Sequence, residues 1–118
     1  MKENLIQQKT YDFALKIINT SKQMQMNKEF VLSRQLLKSG TSIGANVEEA
    51  IGGQSRKDFL SKISIAYKEA RETKFWLRLL RDSNSMDTAH SEELIYQIDE
   101  ILRIIGSIQR TTKSKLSD

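Results

Sequence analysis

The sequence predicts an all-α fold, an up-down-up-down antiparallel four-helix bundle. Three observations carry that prediction. Apolar residues recur at steps of three and four through four long segments, the spacing of one face of a helix. Proline is absent from all 118 residues and glycine is scarce, so little in the chain interrupts a helix. The breaks between segments are short, which favours antiparallel neighbours. The length suits one domain spanning 1–118, with a single small core.

Helix 1 is expected over about 2–26. Its inner stripe is Ile6, Thr10, Phe13, Ile17, Thr20 and Met24, widened by Tyr11, Ala14 and Ile18. Asn27 is a natural break, as a helix end or as the cap of the next helix. Helix 2 is expected over about 28–51, with Leu32, Leu36, Ser39, Ile43, Val47 and Ala50 inward. Its middle, Ser39 to Ala45, is made almost wholly of small residues. Interior glycines at Gly40 and Gly44 cost roughly 1 kcal/mol each relative to alanine. Their spacing puts both on one face, which is tolerable where a neighbouring backbone packs very close.

Gly52-Gly53 ends helix 2, and Ser55-Arg-Lys-Asp58 has the form of a capping box with Asp in place of Glu. Helix 3, over about 55–81, carries a heptad seam of Phe59, Ile63, Ala66, Ala70, Thr73, Leu77 and Leu80. After the polar stretch from Arg81 to Ser85, helix 4 runs over about 88–112 with Leu94, Ile98, Ile101, Ile105 and Ile108 inward. The residues from Lys113 to Asp118 are expected to fray. Placing the turn at Gly53 faces Arg34 with Glu72, and Lys38 with Glu69, as ion pairs along the edge of the core.

Helix 3 has three faces. One residue after each core position comes Tyr67, Arg71, Lys74, Arg78 and Arg81. One residue before come Ile65, Glu69, Glu72, Trp76 and Leu79. Each step is about 100° around the axis, so a basic edge and a mixed acidic and apolar edge flank the seam. Arg71, Lys74, Arg78 and Arg81 are the candidate nucleic-acid-binding residues, with Tyr67 able to stack on a base. Ile65, Trp76 and Leu79 give this helix a second apolar edge, as Ile18, Ile95 and Leu102 do elsewhere. Such an edge serves either a wide buried face or a subunit interface.

Enzyme chemistry finds little support. His90 is the sole histidine and cysteine is absent, which rules out disulfides and thiolate metal sites. A di-metal bundle needs Glu-x-x-His pairs on two helices, and a Ser-His-Asp set needs a nucleophile motif that is missing. Glu48, Glu49, Glu69 and Glu72 have Arg34, Lys38 and Arg71 as simpler ion-pair partners. Asn46 and Glu49, one turn apart, form either a polar pocket near Gly52-Gly53 or hydrogen bonds to the start of helix 3 near Ser55 and Asp58. No catalytic residue, metal or cofactor is expected. The net charge of +4 is mildly basic, so its distribution decides what it means. No apolar run is long enough to cross a membrane. The N-terminal MKENLIQQKTYDF lacks an apolar signal core, so a cytoplasmic location is expected.

The block Ser39-Gly-Thr-Ser-Ile-Gly-Ala-Asn-Val-Glu-Glu-Ala50 resembles the four helix bundle proteins found within 23S rRNA intervening sequences. So do Ser55, Asp58 and Phe59, Ile65-Ala66, Lys68-Glu-Ala-Arg-Glu-Thr73 and Trp76-Leu77. The resemblance covers nearly the whole chain. It implies a small cytoplasmic bundle assembled as a homopentamer. It also implies kinship with the accessory proteins of diversity-generating retroelements, basic pentamers that bind nucleic acid and partner with a reverse transcriptase. RNA or single-stranded DNA, a second copy of the chain and a reverse transcriptase are therefore the expected partners. A purely structural oligomer or protein adaptor without a nucleic-acid role is the alternative.

Overall fold

The computed structural model describes residues 2–117, with side chains for 4–117; Met1 and Asp118 lie outside the described residues. It contains helices α1 (Lys2–Met26), α2 (Phe30–Ile51), α3 (Arg56–Asp82) and α4 (Thr88–Ser117), and no strand among the described residues. Each helix packs on its neighbours in sequence, α1 and α4 close the bundle more loosely, and diagonal helices make no close backbone approach among the described residues. The result is a rod of 51 × 20 × 20 Å. Among the described residues no helix is long and apolar enough to cross a membrane.

The helix boundaries follow local chemistry. Lys28 sits at φ 65°. Glu29 N–H donates to the Met24 carbonyl at 2.8 Å and Lys28 N–H to that of Gln25 at 2.9 Å. This is the Schellman pattern, with Lys28 as the left-handed residue after the helix. Lys28 therefore closes α1, and α2 begins at Phe30 rather than near residue 28. Asn84, at φ 58°, repeats the device after α3, with Ser85 N–H bonded to the Leu80 carbonyl at 2.9 Å. At the start of α3, Ser55 Oγ accepts from Asp58 N–H at 3.0 Å, the first half of the expected capping box. Asp87 Oδ2 caps α4 by accepting from His90 N–H at 3.0 Å. α4 continues to Ser117, five residues past the expected end. Buried Thr112 extends the inner stripe by one more turn.

The inner stripes of α1 and α4 are buried as predicted, and those of α2 and α3 nearly so. On α2, Ser33 takes the buried place expected of Leu32, which is half-buried. Its hydroxyl donates to the Phe30 carbonyl at 2.9 Å. On α3, Phe59 is only half-buried because the first turn, Arg56 to Asp58, is exposed. The small-residue run of α2 lies against α1. A Cβ on Gly40 would come within 2.8 Å of Ile17 Cγ2, and one on Gly44 within 3.3 Å of the Thr10 carbonyl oxygen. Every buried side-chain nitrogen or oxygen among the described residues has a partner.

The α2–α3 register differs from the one expected. The hydroxyls of Ser39 and Thr73 lie 2.9 Å apart, and Glu49 pairs with Lys62 at 3.1 Å. Placing the turn at Gly53 would have put Tyr67, six residues earlier, opposite Ser39. Two physical causes act together. Cβ atoms tilt toward each helix N-terminus, so contacting residues on antiparallel helices start from different depths. The exposed first turn of α3 also extends past the end of α2. Consequently neither Arg34–Glu72 nor Lys38–Glu69 is an ion pair. Lys38 does act on Glu69 through space.

Candidate nucleic-acid interface

The two edges of α3 face different neighbours. The residue after each core position faces α4. Gln109 Nε2 donates to Ser64 Oγ at 3.2 Å, Tyr67 lies against Gly106, and Lys74 Nζ pairs with Asp99 Oδ1 at 2.7 Å. Each advance along α3 in this series is matched by an equal retreat along α4, so the two helices hold one register over three turns. Between them runs a groove of about 370 Å³ lined by Tyr67, Arg71, Lys74, Phe75, Arg78 and Leu102.

Three of the four predicted cations thus share one groove. Arg71 and Arg78 are exposed and make no ion pair with any described carboxylate. Lys74 is held by Asp99. Arg81 stands apart at the end of α3. Its Nε donates to Asp82 Oδ1 at 2.8 Å. That hydrogen bond raises the Arg81 pKa and lowers that of Asp82. The predicted stripe is continuous in sequence, but its last member belongs to a local pair outside the groove.

The residue before each core position faces α2. Ile65 and Leu79 are 39% and 41% exposed. Trp76 is half-buried, packs on the core and donates from Nε1 to Glu72 Oε2 at 3.3 Å. Phe75 stands edge-on to it, ring centres 5.2 Å apart. Glu69 has a raised pKa, first from burial, then from repulsion by Glu72, with Lys38 and Lys68 partly opposing. Arg34 is exposed without an ion-pair partner. Asn46 Nδ2 donates to the Ser42 carbonyl of its own helix at 2.8 Å, and Glu49 reaches Lys62 rather than Ser55 or Asp58. These two side chains therefore do not converge on the start of α3.

No group of three His, Cys, Asp or Glu that could hold a metal gathers among the described residues. His90 Nε2 lies 2.9 Å from Thr20 Oγ1 across the α1–α4 seam. Reading helix by helix missed two further cations, Arg103 and Arg110 of α4. Arg103 is one turn beyond Asp99 and Arg110 one turn beyond Gly106, residues that face the groove. The Arg110 guanidinium folds back to within 3.5 Å of the space a Gly106 Cβ would take. Their signal was the four-residue step from each groove-facing position, visible only once the pairing of α3 with α4 is known.

The fold and sequence place the chain among known proteins. A crystal structure of a protein of unknown function from the S23 ribosomal protein family of Bacteroides thetaiotaomicron superposes with a TM-score of 0.90 at 43% identity. The match covers 93% of this chain and 99% of that one. None of the curated proteins compared matches. The family model for the 23S rRNA-intervening sequence protein matches residues 2–107. With nearly the whole bundle matched, the chain belongs to the 23S rRNA-intervening sequence protein family.

Proposed function

We propose that this protein is a non-enzymatic, self-assembling helical module that binds nucleic acid weakly and without regard to sequence. One observation carries the binding half: Arg71 and Arg78 line the α3–α4 groove without an anionic partner, beside Tyr67 and the apolar side chain of Leu102. Unpaired guanidinium groups meet phosphate well, and an aromatic ring accepts any base. Self-assembly is supported by Ile65 and Leu79, exposed apolar residues on the α2 side of α3 with half-buried Trp76 on the same edge. The family resemblance supports a ring of five.

Fluorescence anisotropy with labelled RNA and single-stranded DNA tests binding. Affinity should fall steeply with salt as counterions are released, and Arg71→Glu/Arg78→Glu should abolish it. Sedimentation tests assembly: wild type should exceed the monomer mass, and Ile65→Glu/Leu79→Glu should lower it. A specific observation favours the structural-adaptor reading as well, since Lys74 and Arg81 are already neutralised by Asp99 and Asp82. An oligomer that binds no nucleic acid at low salt would establish that reading instead.

A further inference from the structure

The geometry points to the α3–α4 groove as a two-railed track for single-stranded nucleic acid, in which Arg103 and Arg110 of α4 form the second rail. The inference rests on the nucleic-acid reading above and adds the class of ligand and two residues. Because α3 and α4 keep one register, the heights of the cations along the groove can be compared. Arg103 lies level with Ala70, beside Arg71, so these two flank the groove at one height. Arg110 lies level with Ile63, toward the Ser64–Gln109 bond, and Arg78 lies seven residues beyond Arg71. At about 1.5 Å per residue, the four guanidinium-bearing positions span roughly 22 Å, in steps of roughly 10 Å.

Between Arg110 and Arg78 the described carboxylate facing the groove is Asp99, and Lys74 occupies it. Glu92 and Asp82 lie at the far end of the strip, where they act on Arg81 and Arg78. Arg71, Arg78, Arg103 and Arg110 are all exposed and pair with no described acid. On α4, Glu100 turns away from the groove toward Lys9 of α1 at 2.9 Å. The track therefore concentrates charge in a protein whose net charge is only +4.

Tyr67 distinguishes strand from duplex. Its ring lies half-buried against Gly106 within the groove, and its hydroxyl has no partner among the described residues. Phe75 lines the same groove and is 49% exposed. Bases reach such rings only when unpaired. A duplex would rest on the outer guanidinium groups and leave Tyr67 and Leu102 uncovered. A single strand lays its phosphates along the rails with its bases turned inward. Guanidinium contacts to phosphate and ring contacts to bases are common to RNA and DNA, so strands of both kinds should bind.

The test is anisotropy at low salt with fluorescein-labelled oligo-U, oligo-dT and a mixed-sequence DNA duplex. Wild type, Arg71→Glu/Arg78→Glu and Arg103→Glu/Arg110→Glu are compared, each checked for helical content and mass. The expected result is at least tenfold tighter binding of both single strands than of the duplex, with at least tenfold loss in either variant. Equal affinity for the duplex overturns the single-strand assignment. Wild-type affinity in Arg103→Glu/Arg110→Glu overturns the second rail while leaving the α3 site intact. Absence of binding by wild type to any probe overturns the underlying nucleic-acid reading as well. Should charge reversal unfold the bundle, Arg103→Gln/Arg110→Gln replaces it. The slope of log affinity against log salt should then shrink by about 0.7 for each phosphate no longer neutralised, and an unchanged slope overturns the second rail.

Discussion

Gly40 and Gly106 are both helix-interior glycines, yet substitution by alanine should move stability in opposite directions. At Gly40 the new Cβ would lie 2.8 and 2.9 Å from Ile17 Cγ2 and Cγ1, and 3.3 Å from Ile17 Cβ. Carbon atoms pack best at about 3.5–4.0 Å, so all three contacts are too short. Ile17 is wholly buried and β-branched, with a stiff χ1, so relief must come from moving α1 away from α2. Overpacking of this kind costs about 1–3 kcal/mol, against about 1 kcal/mol gained in helix propensity. The net expectation is a loss of about 0–2 kcal/mol. At Gly106 the nearest atoms are Arg110 Nη1 at 3.5 Å and Tyr67 Cε1 at 3.9 Å, ordinary contacts with mobile groups. There the propensity gain of about 1 kcal/mol survives. Urea denaturation at one fixed protein concentration, which matters for an oligomer, measures both. In an Ile17→Ala background, Gly40→Ala should instead become neutral or stabilising, a coupling of about 1–3 kcal/mol. If Gly40→Ala stabilises the wild-type protein as much as Gly106→Ala does, the close-packing account of the α1–α2 seam is wrong.

Thr73→Val removes the hydroxyl that meets Ser39 in the buried centre of the α2–α3 seam; it should cost about 1–3 kcal/mol. Adding Ser39→Ala should cost less than the sum of the single changes in denaturation midpoints. Glu69 has its pKa raised by burial and by Glu72, so the folded state favours its protonated form. Its contribution is greatest below its ordinary carboxylate value and is lost as pH rises through the raised folded value. Glu69→Gln should therefore match wild type in acid and exceed it in stability at neutral pH; a constant gap across the titration would refute the assignment. Asp99→Asn frees Lys74 in the groove and should tighten oligonucleotide binding. Its effect on stability should be small, since such partly exposed pairs contribute about 0–1 kcal/mol. Unchanged affinity in anisotropy would show that the groove does not meet phosphate.

How much of this was legible in the sequence depended on whether one helix or two had to be read. The α1 stripe from Ile6 to Met24 and the α3 seam from Ile63 to Leu80 are periodic within a single helix, and burial follows them closely. The two edges of α3 were equally legible, because position around one axis follows from residue number alone. Register between helices was not. It depends on loop geometry and on how far α3 overhangs α2, so Arg34–Glu72 and Lys38–Glu69 were expected as pairs, while Ser39 is found at Thr73 and Glu49 at Lys62. The left-handed conformation of Lys28 carried no residue signal, since lysine is not the usual choice there. Asn84, which is favoured in that role, sits where a polar break was expected. Arg103 and Arg110 escaped notice for the same reason as the register: their meaning comes from α3.

The arrangement of α3 separates two tasks that a small bundle must otherwise place on one surface. Residues before and after the seam lie about 200° apart around the axis, with the core between them on the inner side. Ile65 and Leu79 therefore border α2, while Arg71 and Arg78 border α4. Covering the apolar edge by a second copy leaves the basic groove open. In the assembly proposed above, that groove would recur once per subunit. Weak sites repeated in this way act together on one long polymer, because the second contact is made at the effective concentration set by the first. Under the proposed function, a bundle with a modest net charge would hold a long strand through symmetry, with no single site required to be strong.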